Sequence, residues 1–282
     1  MKTLQELLQE VVCVFDLAGI SSSKRQAEDL FCDFFVCSRV ELHSKKHKVL
    51  TESELKNTQE WVKRRLAGEP LSYISGAVDF YGCQIAVNPT VLIPRPETEI
   101  LVDRIVSFLK KREIKGGQLW DICCGSGCIG IALKKALPAL SVYLSDDSPE
   151  AVLLAAHNAK VNEVDVVCFQ GDLLSPFMGM KADYVVSNPP YISTGEYLEL
   201  DREVRDYEPY HALVGGADGL LFYERFSVEL PNVLSSGGCV WFEIGYSQGE
   251  AVSALFQGAP WKKNRVENDW AGHNRFFFLE IE

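Results

Sequence analysis

Apolar residues recur at helical spacing through the first quarter of the chain, and they predict a bundle of amphipathic helices. The first segment places a stripe of apolar side chains on one helix face: Leu4, Leu7, Leu8, Val11, Val12 and Phe15. A second segment follows Ser21–Ser23, whose hydroxyl groups we expect to cap its first turn. Thr51 and Glu54 have the spacing of a capping box and predict another helix. Residues 1–75 are therefore predicted to form a small N-terminal helical bundle.

The pattern changes after Gly68, where short β-like runs replace the helical spacing. Turn residues such as Gly82 and Pro89 break these runs, which predicts a β-hairpin over residues 76–95 that links two domains. A Pro-Arg-Pro segment then stiffens the entry to a helix predicted over residues 97–111.

From Gln118 onward, predicted strands alternate with predicted helices. Seven short apolar runs have strand character: residues 119–123, 141–144, 165–169, 182–187, 238–244, 266–270 and 276–281. No helix separates the last two runs. This order indicates an α/β fold for residues 96–282, with a mostly parallel, doubly wound seven-stranded sheet whose last strand is antiparallel. Ligands bind to such sheets at the carboxyl ends of the strands.

The strand predicted over residues 182–187 runs into a stiff turn, Asn188-Pro189-Pro190-Tyr191. Asn188 precedes a proline and favours extended backbone, and the two prolines hold φ near about −65° without N–H groups to donate. The Asn188 side-chain oxygen and the Pro189 carbonyl are thus spaced to accept both N–H bonds of a planar NH₂ group, with Tyr191 against its flat face. Asn-Pro-Pro is also ordinary loop punctuation after a strand. The turn therefore indicates chemistry only in combination with a methyl-donor site.

Composition places the chain among ordinary globular proteins and narrows the choice of ligands. The chain has 282 residues, of which 47% are hydrophobic, and a net charge of −11. That charge argues against binding duplex nucleic acid by neutralising its phosphates. Residues 1–75 contain 11 basic and 11 acidic residues, so the acidity lies in the remainder, which suits a cationic ligand. No apolar run approaches the ~18 residues of a membrane span.

The nine cysteines include no Cys-x-x-Cys pair of the kind typical of zinc sites, and we expect no metal site. The first residues are amphipathic and do not resemble a signal peptide. Free thiols in a reducing compartment are the expected state. We therefore expect a cytoplasmic protein, and a monomer.

A candidate donor site begins where the first sheet strand ends, at Asp121-Ile122-Cys123-Cys124-Gly125-Ser126-Gly127. Gly125 and Gly127 let the backbone turn tightly and approach a ligand, and the next helix presents its N-terminus there. With Gly130 they also match the dinucleotide-binding fingerprint, which is a weak signal alone. Asp121 is placed to meet a positively charged amino-acid group, whereas it would repel a pyrophosphate.

Two more acidic residues follow the next two strands. Asp146, 21 residues beyond Gly125, can accept from both hydroxyls of a ribose. Asp172 can accept from an adenine amino group, with Leu173 against the ring. Each aspartate alone is more often a helix N-cap at a strand-to-helix turn. Nicotinamide dinucleotides and S-adenosylmethionine both contain adenosine, so a dinucleotide-dependent oxidoreductase stays open. Asp121 and the turn at Asn188 favour S-adenosylmethionine.

Taken together, these motifs resemble those of the release-factor glutamine N5-methyltransferases, the PrmC/HemK family, nearly from end to end. The matching segments are Gly68-Glu69-Pro70-Leu71-x-Tyr73-Ile74-x-Gly76, Ile93-Pro94-Arg95-Pro96-Glu97-Thr98-Glu99, the donor loop, Asp146-x-Ser148, Gly171-Asp172-Leu173, Asn188-Pro189-Pro190-Tyr191-Ile192 and Glu243-Ile244-Gly245. The family usually has Gly and Thr where this chain has Cys123 and Cys124. We expect that difference to alter donor affinity and not the type of reaction.

The resemblance implies a Rossmann-like class I S-adenosylmethionine-dependent methyltransferase domain over residues 96–282. Its reaction would transfer a methyl group to the side-chain amide nitrogen of the glutamine in the Gly-Gly-Gln motif of class I peptide chain release factors, leaving S-adenosylhomocysteine. The implied catalytic residues are Asn188, Pro189, Pro190 and Tyr191. The implied donor-binding residues are Asp121, Cys123, Cys124, Gly125, Ser126, Gly127, Asp146, Asp172, Leu173 and Asn188.

The expected partner is the release factor itself, with no direct contact to nucleic acid or membrane. We expect the helical bundle to dock it, because a glutamine loop alone offers little to recognise. The alternative function is an adenine-N6 nucleic-acid methyltransferase, since such enzymes share the Asn-Pro-Pro-Tyr motif. That function calls for a basic recognition domain and room for a flipped base, whereas residues 1–75 carry no net charge.

Overall fold

A computed structural model describes residues 2–282, and they form two compact units. The first unit extends to Gly76 and also contains Arg202–Tyr207, and the second comprises Ala77–Asp201 and Glu208–Glu282. The helices that precede Gly76 are α1 (Leu4–Leu17), α2 (Ser23–Phe35), α3 (Arg39–Ser44), α4 (Glu52–Leu66) and α5 (Leu71–Ser75). The predicted helical character of this region is confirmed.

Local sequence explains where these helices begin. The Thr51 hydroxyl accepts from the backbone N–H of Glu54, and the Glu54 carboxylate accepts from the backbone N–H of Thr51, so the predicted capping box is confirmed. The cap predicted at Ser21–Ser23 is wrong: Ser22 has a left-handed backbone with φ of 51° and makes no side-chain cap. The Ser23 hydroxyl donates instead to Asp16 of α1.

The second unit is built on a mixed sheet flanked by helices. Its helices and the one from the first unit are α6 (Pro96–Lys111), α7 (Cys128–Ala136), α8 (Pro149–Val161), α9 (Thr194–Tyr197), α10 (Arg202–Tyr207, first unit), α11 (Tyr210–Leu213), α12 (Leu221–Glu229) and α13 (Gly249–Leu255). Its strands are β1 (Ala77–Phe80), β2 (Cys83–Ala86), β3 (Gln118–Ile122), β4 (Ser141–Asp146), β5 (Val166–Gln170), β6 (Ala182–Ser187), β7 (Leu234–Glu243), β8 (Trp261–Asn268) and β9 (Asn274–Ile281).

The sheet has seven strands in the order β5-β4-β3-β6-β7-β9-β8. Strands β3 to β7 pair in parallel, whereas β9 is antiparallel to both of its neighbours, β7 and β8. The predicted fold class is therefore confirmed, including the antiparallel last strand. Trp120 of β3 and Val185 of β6 are fully buried, as expected for strands covered on both faces.

The predicted β-hairpin forms, but it belongs to the second unit and is not a separate linker over residues 76–95. Two amide side chains of the α8 region hold β2 in place. Asn158 accepts from the Ala86 N–H at 2.8 Å and donates to the Ala86 carbonyl at 3.0 Å. Asn162 makes the same pair of bonds with Gln84, at 3.1 and 2.8 Å. The hairpin thus packs as part of the sheet domain.

Helix α10 lies far along the chain, yet it is part of the first unit. Arg65, almost fully buried, donates to Glu203 at 2.7 Å and to Gln26 at 2.8 Å. The Tyr207 hydroxyl donates to the Ala67 carbonyl at 2.9 Å. The first unit therefore includes Arg202–Tyr207, a segment that the sequence analysis assigned to the domain over residues 96–282.

The strand order reverses at β3, which has β4 on one side and β6 on the other. Open α/β sheets bind ligands in the crevice outside the carboxyl ends of the strands at such a point. The donor loop follows β3 and the Asn188 turn follows β6, so both predicted motifs leave the sheet at this crevice. Within residues 2–282, no helix is long and apolar enough to cross a membrane.

Candidate active site

One cleft in the second unit gathers most of the residues that the sequence analysis singled out. Nine of them line it: Cys123, Cys124, Gly125, Ser126, Asp146, Asp172, Leu173, Asn188 and Pro190. Four do not line it: Asp121, Gly127, Pro189 and Tyr191. The cleft wall also includes Arg95 and Thr98, and residues that the sequence analysis did not single out, among them His211 and Phe222. The donor motifs and the Asn188 turn therefore share one cleft.

The glycine loop after β3 has an open side and a packed side. Gly125 has φ of 51°, and a Cβ added there would meet no atom within 4 Å. Gly127 has φ of 77°, and a Cβ there would lie 3.0 Å from Ala155 and 3.1 Å from Leu144. Gly125 therefore leaves space toward the cleft, whereas Gly127 allows α7 to pack closely against the sheet.

Cys123 occupies a backbone position that suits glycine. Its φ is 57°, in the left-handed region that costs an ordinary residue about 1 kcal/mol or more. Burial raises the pKa of the Cys123 and Cys124 thiols well above the ordinary value for cysteine. Both side chains are therefore neutral thiols that shape the cleft wall, and neither is an activated nucleophile.

Asp146 closes the glycine loop from the end of β4. Its carboxylate accepts from the Gly125 N–H at 2.8 Å and from the Ser148 N–H at 3.1 Å. Burial raises the pKa of Asp146 to about 6, although these two N–H groups lower it. Each carboxylate oxygen keeps further acceptor capacity, so the side chain suits hydroxyl donors of a ligand in the cleft.

Asp121 is fully buried beneath the same loop. One carboxylate oxygen accepts from the Gly130 N–H at 2.8 Å, while the other, Oδ1, has no hydrogen-bond partner within residues 2–282. Burial raises the pKa of Asp121 to about 7. An unpaired buried carboxylate oxygen is costly unless a donor or a positive charge completes it. This orphaned oxygen fits the predicted cationic amino-acid group, but Asp121 does not itself line the cleft.

Asp172 has a partner that the sequence did not reveal. Both of its carboxylate oxygens accept from the Arg225 guanidinium of α12, at 2.7 and 2.9 Å. The pair is exposed to solvent, so it contributes little to stability. Asp172 lines the cleft while its carboxylate is paired with Arg225. Leu173 beside it is buried and has a left-handed φ of 46°.

The turn after β6 presents Asn188 to the cleft on a rigid support. Pro189 and Pro190 are buried. Among the described residues, the Asn188 side chain makes no hydrogen bond to another protein group, whereas the Ser187 hydroxyl before it donates to the Ile122 carbonyl at 2.6 Å. The hydrogen-bonding capacity of the Asn188 amide is therefore available to a ligand.

Behind this turn lies a buried polar group that local pattern did not explain. Glu243, at the end of β7, is register-adjacent to Asn188, because Phe242 pairs with Ser187. Its carboxylate accepts from the Thr98 hydroxyl at 2.7 Å. Burial raises the pKa of Glu243 to about 7, while the Thr98 bond and the Arg275 and Arg95 charges lower it.

Arg95 is anchored at the cleft wall by Glu208. The Glu208 carboxylate, which is buried, accepts from Arg95 at 2.5 Å and from the Ile93 N–H at 3.2 Å.

Within residues 2–282, no cluster of side chains suits a metal ion. The site therefore offers hydrogen-bond acceptors and buried charge, with the Asn188 amide facing the glycine loop's cleft.

Comparisons with known proteins place similar sequences over nearly the whole chain. The chain matches the family model described as "PrmC N-terminal domain" over residues 6–76 and the model "Methyltransferase small domain" over residues 98–202. It is 44% identical over 280 residues to a release factor glutamine methyltransferase of Chlamydia trachomatis, covering 98% of this chain and 94% of that protein. A release factor glutamine methyltransferase of Bacillus subtilis is 39% identical over 267 residues, covering 92% of each chain.

Solved structures share the fold at low identity. A methyltransferase from Pyrococcus furiosus is 15% identical with a TM-score of 0.52, covering 80% of this chain and 98% of that one. An rRNA methyltransferase of T. thermophilus, in complex with AdoMet and guanosine, is 15% identical with a TM-score of 0.54, covering 73% of this chain and 50% of that one.

Proposed function

Because the chain belongs to the release factor glutamine methyltransferase family, we propose that it methylates a peptide chain release factor with S-adenosylmethionine as the donor. The acceptor is the side-chain amide nitrogen of the glutamine in the Gly-Gly-Gln motif of class I release factors. The observation that carries this proposal is the Asn188 amide, which lines the same cleft as the glycine loop and makes no side-chain hydrogen bond within residues 2–282.

The turn at Asn188 binds the acceptor. The glutamine NH₂ group donates one hydrogen to the Asn188 side-chain oxygen and the other to the Pro189 carbonyl. A carboxamide nitrogen is a poor nucleophile because its lone pair is delocalised. Two acceptors on its hydrogens return electron density to the nitrogen and fix its direction, so the turn supplies both orientation and electrostatic stabilisation of the positive charge that develops there.

The glycine loop and the acidic residues around it hold the donor. Asp146 accepts from the ribose hydroxyls, Leu173 packs against the adenine ring and Asp172 accepts from its amino group. Gly125 leaves the space that a close ligand requires. Asp121, whose Oδ1 has no hydrogen-bond partner within residues 2–282, is the residue proposed to attract the positively charged amino group of the donor. Bound S-adenosylmethionine supplies an electrophilic methyl group on a positively charged sulfur.

Proton removal needs no dedicated base in this site. The methylated amide nitrogen is strongly acidic while it carries a positive charge, and its proton passes readily to solvent. Glu243 lies behind the turn and is bonded to Thr98, so we assign it no part in the proton transfer. Positioning therefore carries most of the rate enhancement.

The first unit is proposed to dock the release factor. It has an apolar groove whose lining includes Leu8, Val12 and Cys13, bordered by Lys24 and Lys46. A docking surface outside the cleft is required because one glutamine loop provides few contacts for discrimination. The enzyme would act as a monomer in the cytoplasm, where translation supplies this substrate, and its nine free cysteines suit a reducing compartment.

Labelled donor tests the function directly. The purified protein and tritiated S-adenosylmethionine are incubated in separate reactions with release factor, with DNA and with RNA. Label is expected on the release factor, and mass spectrometry should place it on the glutamine of the Gly-Gly-Gln motif. Label on an adenine base would establish the alternative function.

Asn188→Ala is the matching variant. Turnover is expected to fall by orders of magnitude because one of two acceptors is lost, while calorimetry shows unchanged donor affinity. Asn264→Ala is the control, since Asn264 bonds the Phe256 carbonyl at 2.9 Å and does not line the cleft. Full turnover in Asn188→Ala would refute the role of this turn.

A further inference from the structure

Gln248 ties together three backbone segments behind the Asn188 turn. It immediately precedes α13 and is almost fully buried. Its Oε1 accepts from the Gly245 N–H at 2.9 Å. Its Nε2 donates to the Tyr191 carbonyl at 2.9 Å and to the Gly219 carbonyl at 3.2 Å. One side chain therefore links the end of the turn, the loop before α12 and the loop after β7.

The same turn is packed tightly against glycines of the loop before α12. A Cβ added at Gly219 would lie 2.2 Å from the Tyr191 carbonyl oxygen, and a Cβ at Gly215 would lie 2.2 Å from the Pro190 oxygen. Backbone atoms cannot tolerate either approach. The two glycines therefore let the loop lie directly against the turn, and Gln248 bonds across that contact.

Backbone hydrogen bonds of the residue after the turn, Ile192, also hold the turn in place. The Ile192 N–H donates to the Leu213 carbonyl, and the Gly215 N–H donates to the Ile192 carbonyl, both at 2.9 Å. Tyr191 therefore lies between Pro190 and Ile192, and both backbone polar groups of Ile192 are hydrogen-bonded. The bond from Gln248 to the Tyr191 carbonyl and the two backbone bonds of Ile192 together hold the end of the turn, and the fixed φ angles of Pro189 and Pro190 leave the segment before it little freedom to compensate for a shift.

We propose that Gln248 is a positioning residue for methyl transfer. It is not among the residues that line the cleft. It fixes the Tyr191 carbonyl, and through it the position of the turn whose Asn188 oxygen and Pro189 carbonyl bind the glutamine NH₂. The inference rests on the proposed function of this turn and adds a residue to it.

A purely structural role predicts a different result. If Gln248 only anchored α13, its loss would lower thermal stability and leave the turnover of the folded protein unchanged. If it positions the acceptor turn, kcat falls while the donor dissociation constant stays the same, because the glycine loop and Asp146 are untouched. An error of about 1 Å in acceptor placement can cost ~100-fold in rate.

The test uses Gln248→Glu and Gln248→Met in the full chain. The carboxylate keeps the bond from Gly245 but cannot donate to two carbonyls, and Met removes every bond at similar volume. For both folded variants we expect kcat to fall by roughly 10- to 100-fold with release factor as substrate. Donor affinity, measured by calorimetry, should stay within about 2-fold of the wild type.

Asn162→Asp provides a matched control. Asn162 accepts from the Gln84 N–H at 3.1 Å and donates to the carbonyls of Gln84 and Asn158 at 2.8 and 2.9 Å. Like Gln248, Asn162 accepts one hydrogen bond and donates two, but its partners lie in β2 and α8. This variant should retain wild-type kcat even where its melting temperature falls.

Three outcomes separate the possibilities. Wild-type kcat in a folded Gln248→Glu or Gln248→Met protein overturns the inference while leaving the proposed function intact. A fall in kcat with an equal loss of donor affinity also overturns it. Absence of release-factor methylation by the wild-type enzyme, measured in parallel, refutes the proposed function itself. If one Gln248 variant does not fold, the other decides the question.

Discussion

Asp146 accepts the backbone N–H of Gly125 at 2.8 Å, and this bond joins the carboxyl end of β4 to the loop that follows β3. The two residues come from neighbouring parallel strands, so the sheet register sets their separation. The bond holds the glycine loop in its left-handed conformation while the same carboxylate faces the cleft. Asp146 is thereby both a support of the donor loop and a candidate ligand of the donor.

Asp146→Ala should weaken donor binding by at least about 10-fold, because each lost charge-assisted hydrogen bond contributes roughly 1.5–3 kcal/mol. Calorimetric titration with S-adenosylmethionine measures the change. Asp165→Ala is the control, since Asp165 is exposed at the start of the β5 region. Equal affinities in the two variants would mean that Asp146 does not hold the ribose.

The ligand-free protein should become more stable as the pH falls from about 8 to about 6. Burial raises the pKa of Asp121 to about 7, whereas an aspartate in an unfolded chain titrates near about 4. Between about pH 4 and about pH 7, the folded state binds more protons than the unfolded state. The free energy of unfolding therefore falls as the pH rises toward and through the folded-state pKa of about 7. Glu243, whose pKa burial raises to about 7, acts in the same direction.

Asp121→Asn isolates the contribution of one group. Urea unfolding at several pH values should give a slope reduced by at most ~1.4 kcal/mol per pH unit relative to the wild type. Asn264→Ala, which removes no titratable group, should leave the slope unchanged. An Asp121→Asn protein with the wild-type slope would show that Asp121 does not titrate in this range.

Cys123→Gly should tighten donor binding. Glycine removes a side chain from the cleft wall and suits the φ of 57°. Relief of backbone strain, about 1 kcal/mol, offsets the loss of the packing contacts of Cys123. We therefore expect a lower dissociation constant for the donor with a nearly unchanged melting temperature. Cys37→Gly, in the first unit, serves as the control, and a weaker donor complex in Cys123→Gly would contradict the expectation.

Cys13→Arg tests the proposed docking groove. Cys13 is exposed on α1 and lines the groove, so a long charged side chain there should obstruct a partner without unfolding the bundle. We expect KM for release factor to rise about 10-fold or more, an energy of ~1.4 kcal/mol, with donor affinity unchanged. Leu17→Arg is the control, because Leu17 is exposed on the same helix and lies outside the groove lining. If both variants keep the wild-type KM, docking occurs elsewhere.

Local sequence determined the elements and the ends of the strands. The helical stripes of α1 and the capping box at Thr51 predicted structure that forms, because these signals act within one or two turns. The apolar runs of β3 and β6 predicted buried strands, and the two prolines predicted a stiff turn. Once the strands are parallel, their carboxyl ends meet at one edge, so the cleft follows from the strand order.

The partners of these residues were decided only by the tertiary structure. Arg225 reaches Asp172 across 53 residues of sequence, Gln248 reaches Tyr191 across 57, and Arg65 reaches Glu203 across 138. No periodicity or turn signal encodes such pairs, because each depends on where separate elements pack. The candidate site residues thus follow strand ends that the local sequence predicts, whereas the contacts that hold them in position arise from long-range packing.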